Sequence, residues 1–303
     1  MRETMMSEIQ HGRVTANGLS FEFLEAGEGP LALCMHGFPD SPFTYRYLLP
    51  KLAEAGFRAV APFQRGYSPT ELPSLRSRVH SSVLVEDQLA LADALGGGHD
   101  SVLVAHDWGA LAAWGALRRG ENLWGRAVVL NIPPYEIFAE TLFTYPQLKK
   151  SFYFWFFQMR HVIEDRVRQN DFEFIRDLWA DWSPGYVADE DLVHLREALS
   201  EPNNLRTALS YYFSQFDPSQ LGSAEWAEEQ EAAWGGRATQ PVLYLHGTND
   251  GCYGVTEEQM TRIPSYGGAG SVAEMVEGVG HFMLVERPEE VNSRILRWLT
   301  EKH

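Results

Sequence analysis

The chain lacks a long apolar run, has few cysteines and carries no surplus of positive charge, and each shortage removes a class of protein. Its 303 residues include 2 cysteines, and 25 lysines and arginines stand against 41 aspartates and glutamates. The formal charge of −16 repels phosphate backbones and anionic lipid, so neither nucleic acid nor a membrane is an expected partner. No stretch approaches the ~20 apolar residues of a spanning helix. The first residues, Met1 to Arg13, mix Glu, Arg, Gln and His without the apolar stretch of a signal peptide. Cys34 sits in an apolar run that reads as an interior strand. That favours free buried thiols over a Cys34–Cys252 bridge, and with them a reducing, cytoplasmic setting. Internal repeats and low-complexity tracts are also missing.

What is present is strand and helix in alternation. Short apolar runs bounded by turn residues occur at Leu31 to Met35, Arg58 to Ala61, Ser101 to Ala105, Ala127 to Leu130, Pro241 to Leu245 and Ser271 to Val276. Helix-like segments lie between several of them: Thr44 to Ala55, Val83 to Leu95 and Ala110 to Arg119. A final one runs from Pro288 to Leu299. This predicts an α/β fold with a mostly parallel sheet flanked by helices. Val14 to Ala26 alternates and turns at Asn17-Gly18, as an antiparallel edge hairpin does. Between about Pro133 and Gly236 the strand signals stop and Trp, Phe and Tyr crowd into helix-like segments: Tyr145 to Arg168, Asp189 to Leu199 and Leu205 to Phe216. The division expected is a core of residues 1–132 and 237–303 with an all-helical cap of 133–236 over the carboxyl edge of the sheet, where open α/β sheets place their sites. Tyr135, Phe138, Trp155 and Phe157 suit an apolar cavity wall.

The strand ending at Ala105 runs directly into a helix through Ala105-His106-Asp107-Trp108-Gly109. A small residue two positions before a central residue, and glycine two positions after, is what a sharp strand-to-helix turn requires. The centre of such a turn is usually Ser; here it is Asp107, with the amino-terminal N–H groups of the helix aimed at its carboxylate. The exchange constrains chemistry. A serine that attacks saturated carbon makes an ether that water cannot split. An aspartate makes an ester, hydrolysable at its own carbonyl carbon, so an Asp nucleophile points to an electrophilic sp³ carbon such as that of an epoxide or alkyl halide. With a reference pKa of about 3.9, a carboxylate needs no base to activate it. Alone, Asp107 reads equally well as a helix N-cap.

Its partners decide. The next-to-last strand leads to Asp250 and the last to His281, so the chain order is nucleophile, acid, base. Asp250 fixes the tautomer of His281, which activates the water that attacks the ester. Upstream, Cys34-Met35-His36-Gly37-Phe38-Pro39-Asp40 follows a strand, and the backbone N–H of Phe38 with that of Trp108 forms the expected oxyanion hole. His36 is expected to brace this loop, and Pro39 to stiffen it. His36, His106 and His246 lie at three different strand ends without paired ligand spacing, so neither a metal nor another cofactor is implied.

The motifs His36-Gly37-Phe38-Pro39, His106-Asp107-Trp108-Gly109, Asp250 and Gly280-His281-Phe282 together resemble the α/β-hydrolase-fold epoxide hydrolases, over nearly the whole chain. By motif the haloalkane dehalogenases are the nearest other family. The resemblance implies an eight-stranded sheet and two cap tyrosines that protonate the epoxide oxygen as the ring opens. Ser151-Phe152-Tyr153-Phe154 matches the first tyrosine segment and assigns that role to Tyr153. Leu209-Ser210-Tyr211-Tyr212-Phe213 offers Tyr212, with Tyr211 as the alternative. Substrate contact is expected from His36, Pro39, Tyr211, Trp155 and Phe157. The implied partners are an apolar epoxide and water, with a homodimer compatible. Two departures stand out: Phe63-Gln64-Arg65-Gly66 where relatives commonly carry Asp before Arg-Gly, and Ala105 and Ala110 where Gly is frequent. An alkyl-halide dehalogenase is the competing enzyme reading. Phe38, with no side-chain donor where dehalogenases often carry Asn, and the tyrosine pair both favour the epoxide. Trp108 stands where a fluoroacetate-type dehalogenase usually carries Arg. A non-catalytic ligand receptor on the same fold is the remaining alternative.

Overall fold

A computed structural model describes residues 8–73, 80 and 82–301. Eight strands form one sheet: β1 (Gln10–Ala16), β2 (Leu19–Ala26), β3 (Leu31–Met35), β4 (Arg58–Pro62), β5 (Val102–His106), β6 (Arg126–Leu130), β7 (Val242–Gly247) and β8 (Val272–Val276). Their spatial order is β1-β2-β4-β3-β5-β6-β7-β8. The β1-β2 hairpin turns at Asn17-Gly18, both with positive φ (42° and 73°), and its pairing with β4 is also antiparallel. All later pairs are parallel. Helices cover both faces, so β3, β5 and β7 are buried along their whole length and carry unbroken apolar runs instead of alternation.

The core helices are α1 (Leu49–Glu54), α2 (Val83–Ala94) and α3 (Trp108–Arg119). Seven helices follow between β6 and β7, with no strand among their described residues. They are α4 (Tyr135–Leu142), α5 (Tyr145–Lys150), α6 (Phe152–Phe156), α7 (Ile163–Trp182), α8 (Asp189–Leu199), α9 (Pro202–Gln215) and α10 (Ala224–Trp234). Beyond β7 come α11 (Glu257–Arg262), α12 (Met283–Glu286) and α13 (Pro288–Thr300).

Two expected helices are divided. Thr44 to Ala55 becomes a 3-10 turn, Pro42–Tyr45, followed by α1. Pro50 has no N–H for a carbonyl one turn back, and is tolerated only because α1 begins beside it. Tyr145 to Arg168 divides into α5, α6 and the start of α7. No proline or glycine marks the breaks between α5, α6 and α7. They arise from packing, since Tyr153 and Phe154 are buried while the side chain of Gln158 donates to the carbonyl of Tyr212 on α9 at 2.8 Å.

The inserted helices are bonded to the sheet-end loops on two sides. From α9, the Tyr211 hydroxyl donates to the Arg65 carbonyl and Asn204 Nδ2 to the Gly66 carbonyl at 3.1 Å. From α7, the Trp179 indole N–H donates to the Pro39 carbonyl at 2.7 Å. The Trp182 carbonyl accepts the N–H groups of Gly251 (3.1 Å) and His281 (2.9 Å). Arg65 itself is buried and pairs with Asp87 at 2.6 Å, anchoring its loop to α2.

Candidate active site

Asp107 joins β5 to α3 with φ 53° and ψ −122°, a conformation that costs a non-glycine residue of order 1–3 kcal/mol and persists only where the surroundings impose it. The turn is tight enough that a Cβ on Gly109 would collide with the Met35 carbonyl, and one on Gly37 with the Asp107 carboxylate. Ala105 and Ala110 are fully buried, and the turn closes without glycine at either position.

The carboxylate is held at both oxygens. Oδ1 accepts the Phe38 N–H at 2.8 Å, and Oδ2 lies 3.5 Å from His281 Nε2. Trp108 opens α3, so its amide is among those with no acceptor within the helix. His281 Nδ1 meets Asp250 Oδ2 at 3.0 Å. Asp250 is saturated: Oδ1 accepts the N–H groups of Cys252 (2.7 Å) and Tyr253 (3.0 Å), and Oδ2 also accepts from Asn131. Burial alone would raise Asp250, but the His281 charge and these hydrogen bonds outweigh it and hold the carboxyl well below its ordinary range. Burial would likewise lower His281. The Asp250 and Asp107 carboxylates overcome it and raise His281 to about 10.

The neighbouring imidazoles behave oppositely. Burial pushes His36 down to about 4 despite its bond to the Gly37 carbonyl. Burial, reinforced by the His281 charge, takes His106 down to about 3. Both are therefore neutral. His36 Nδ1–H donates to the Gly37 carbonyl at 2.9 Å while Nε2 accepts the Gln64 N–H at 3.2 Å, so His36 braces its loop, with Gln64 as the brace partner. His106 Nε2–H donates to the His281 carbonyl at 3.0 Å.

Above the carboxylate lies a cavity of about 20 Å³, room for roughly one water molecule. Its sheet side is Asp107, Trp108, Leu111, Ile132, Cys252 and Tyr253; on the side of the inserted helices are Phe138, Tyr153, Phe154, Tyr212 and Phe216. Burial, foremost, raises the Tyr153 and Tyr212 phenols well above their usual range, with the Asp107 charge adding to both, so both stay protonated. Tyr153 OH lies 3.4 Å from Cys252 Sγ. The buried Tyr212 hydroxyl reaches toward Trp108 and Tyr153 without closing a hydrogen bond.

The predicted residues thus divide. Asp107, His281, Asp250, Phe38, Trp108, Tyr153 and Tyr212 converge on one point. Tyr211 does not border the cavity, because its hydroxyl is spent on the Arg65 carbonyl; of the adjacent pair, Tyr212 is the one that faces Asp107. Trp155 packs on Phe143 and Phe216, and Phe157 on Phe38 and Tyr212, so neither contacts the cavity, nor do His36 and Pro39. Asn131, Cys252, Phe154 and Phe216 were not anticipated. Asn131 had a usable signal, an Asn at a strand end before Ile-Pro-Pro, and it holds a left-handed φ of 69°. Among the described residues one group could hold a metal: Asp107, Cys252 and His281 bring donor atoms within 4.8 Å of one another. Cys34 and Cys252 are both free and buried. Among the described residues no helix is long and apolar enough to cross a membrane.

Residues 32–294 match the sequence model of the alpha/beta hydrolase family. The chain is 29% identical to human epoxide hydrolase 4, covering 96% of this chain and 78% of that protein. It is 26% identical to epoxide hydrolase A of Mycobacterium tuberculosis, covering 95% and 96%. Among solved structures it superposes on an inhibitor complex of a Bacillus megaterium epoxide hydrolase with TM-score 0.81 at 25% identity, covering 96% of this chain and 100% of that one. Vigna radiata epoxide hydrolase VrEH1 superposes with TM-score 0.79 at 26% identity, covering 98% and 99%.

Proposed function

The chain belongs to the alpha/beta hydrolase family, and from that premise we propose that it is an epoxide hydrolase whose nucleophile is Asp107. The observation that carries this reading is the pair of protonated phenols, Tyr153 and Tyr212, lining the same cavity as a carboxylate on a strand-to-helix turn. A departing halide needs no proton, whereas an alkoxide does. The relatives named as epoxide hydrolases support the same choice. In this reading the helices between β6 and β7 form the cap domain, and the buried free thiols suit a cytoplasmic location.

Asp107 Oδ2 attacks the less hindered ring carbon. The new C–O bond forms as the ring C–O bond breaks, and the alkoxide takes a proton from the phenols. His281 starts as a cation between two carboxylates. Esterification removes the Asp107 charge and lowers the His281 pKa from about 10; the His281 proton passes to the phenolate left by ring opening, which restores the phenol and frees the imidazole to serve as a base. His281, held by Asp250, then takes a proton from water as its oxygen adds to the ester carbonyl. The resulting oxyanion rests on the N–H groups of Phe38 and Trp108. Collapse expels the diol oxygen, which takes the proton from His281, and the proton shed as Asp107 returns to its carboxylate passes to His281 and restores the cation.

A single turnover of styrene oxide in heavy-oxygen water tests this. The first diol should carry no label, because its new oxygen comes from Asp107, and the label should appear in the protein. Labelled first-turnover diol would mean that water attacks the epoxide directly. Halide release from a chloroalkane without diol formation from any epoxide would assign the site to dehalogenation.

A further inference from the structure

The cavity above Asp107 lies entirely to one side of the nucleophile. Asp107 follows β5, whose neighbours in the sheet are β6 and β3. The void opens toward β6 and β7, between Leu111, Ile132, Phe138, Phe216 and Tyr253. Over the end of β3 the described residues line no part of it. There Phe157 meets Phe38, Tyr212 and Tyr153 edge to face, with ring centroids 5.7, 4.9 and 5.5 Å apart, and Phe38 meets Tyr212 at 5.3 Å. Trp179, bonded to the Pro39 carbonyl, stacks on Phe282 beyond them. Neither Phe38 nor Phe157 borders the cavity, and both are fully buried.

An epoxide held by its oxygen on the phenols places its two carbons on either side of that oxygen, so a substituent on each needs space on both sides. We propose that this site takes terminal epoxides whose single uncharged, apolar substituent lies toward the ends of β6 and β7, entering as the rings of Phe138 and Phe216 give way around a void that at rest has room for roughly one water. Epoxides substituted at both carbons are excluded by the ring cluster of Phe38 and Phe157. The unsubstituted CH₂ faces the closed side, fits there, and is the carbon Asp107 attacks. The lining side chains are carbon apart from the Cys252 thiol, the Trp108 indole N–H, the phenols and the Asp107 carboxylate, which leaves a charged substituent no partner beyond the reacting carboxylate itself. This rests on the epoxide hydrolase reading and narrows it.

The test compares kcat/KM for diol formation from styrene oxide and trans-β-methylstyrene oxide, which differ by one methyl on the second ring carbon. Styrene oxide is expected to be favoured by about 100-fold, within the range that one misplaced carbon commands in a fitted pocket. Phe157→Ala is expected to reduce the ratio to about 10 or less by vacating the closed side. Phe157→Leu, a smaller excision, serves if the alanine variant does not fold. Comparable turnover of both substrates by the wild-type protein would overturn the one-sided site while leaving the epoxide hydrolase reading intact. An unchanged ratio in a folded Phe157 variant would overturn the closure by this ring. If neither epoxide yields diol, the underlying reading fails and this one with it.

Discussion

The loops at the carboxyl edge of the sheet and the helices above them meet at one cavity but are stabilised differently. Below, each polar atom of the acid is bonded: both oxygens of Asp250 carry two partners, and Asp107 Oδ1 sits on an amide. Above, the contacts are ring against ring, and the Tyr212 hydroxyl is buried with no hydrogen bond of its own. An unsatisfied buried hydroxyl costs about 1–3 kcal/mol, so it is retained where a ligand oxygen completes it. The difference separates roles. In the proposed reaction the lower half is preorganised for ester chemistry and the upper half is left incomplete for the substrate.

The largest effect that would sharpen this contrast is loss of the nucleophile. Asp107→Asn is expected to lower diol formation by about 10⁴-fold with little change in Tm, since the elbow survives the exchange. The amide is also neutral, as the ester is. An NMR titration of His281 in this variant should show its pKa below the wild-type value of about 10. An unshifted His281 would refute the proposed charge logic of the second step. Next in size is His281→Gln, in which alkylation proceeds and hydrolysis stalls. Steady-state turnover should fall by about 10³-fold or more, while mass spectrometry finds one substrate adduct on Asp107. An adduct-free inactive protein would mean that His281 serves the first step instead.

The two halves were unequally legible. The loops follow local rules: a strand end, a small residue or glycine where backbones approach, and a fixed chain order of partners. Asp107, Asp250, His281 and the Phe38 loop could therefore be placed from sequence. The α9 and α6 assignments needed a resemblance, because a tyrosine in an aromatic-rich helix carries no signal of which way it faces. Tyr211 and Tyr212 illustrate the limit. They are adjacent, both fully buried, and separated only by whether the hydroxyl meets the Arg65 carbonyl or the cavity. Trp155 and Phe157 lie outside the cavity lining, and the limit is the same, since helix periodicity identifies a buried face but not the neighbour that fills it.

The upper half yields a smaller expected loss. Tyr153→Phe and Tyr212→Phe should each slow ester formation by about 10²-fold, the usual cost of removing one donor from a developing oxyanion. Tyr211→Phe should leave the rate within about 2-fold and lower stability by about 1 kcal/mol, because its bond is to a backbone carbonyl. Single-turnover burst rates distinguish these outcomes. A Tyr211→Phe loss equal to that of Tyr212→Phe would remove the distinction drawn between them.

The smallest effect concerns the seam between the halves. Ser183, fully buried at the end of α7, donates from Oγ to Glu286 Oε1 and accepts the Phe282 N–H at 2.9 Å, while Glu286 Oε2 accepts the Gly280 N–H at 2.8 Å. The residues on either side of His281 are thus tied to the inserted helices through one hydroxyl and one carboxylate, beside the direct bond from His281 N to the Trp182 carbonyl. Ser183→Ala leaves the Phe282 N–H buried without its acceptor. This should cost about 1–3 kcal/mol, seen as a fall in Tm of about 2–6 °C. Because Trp182 still holds the His281 backbone, kcat for ester hydrolysis should change only a few-fold, with KM nearly constant. Unchanged thermal stability would show that the seam is not what fixes the His281 loop, and the contrast between a rigid floor and an adaptable roof would then have to rest on Asp250 and Asn131 alone.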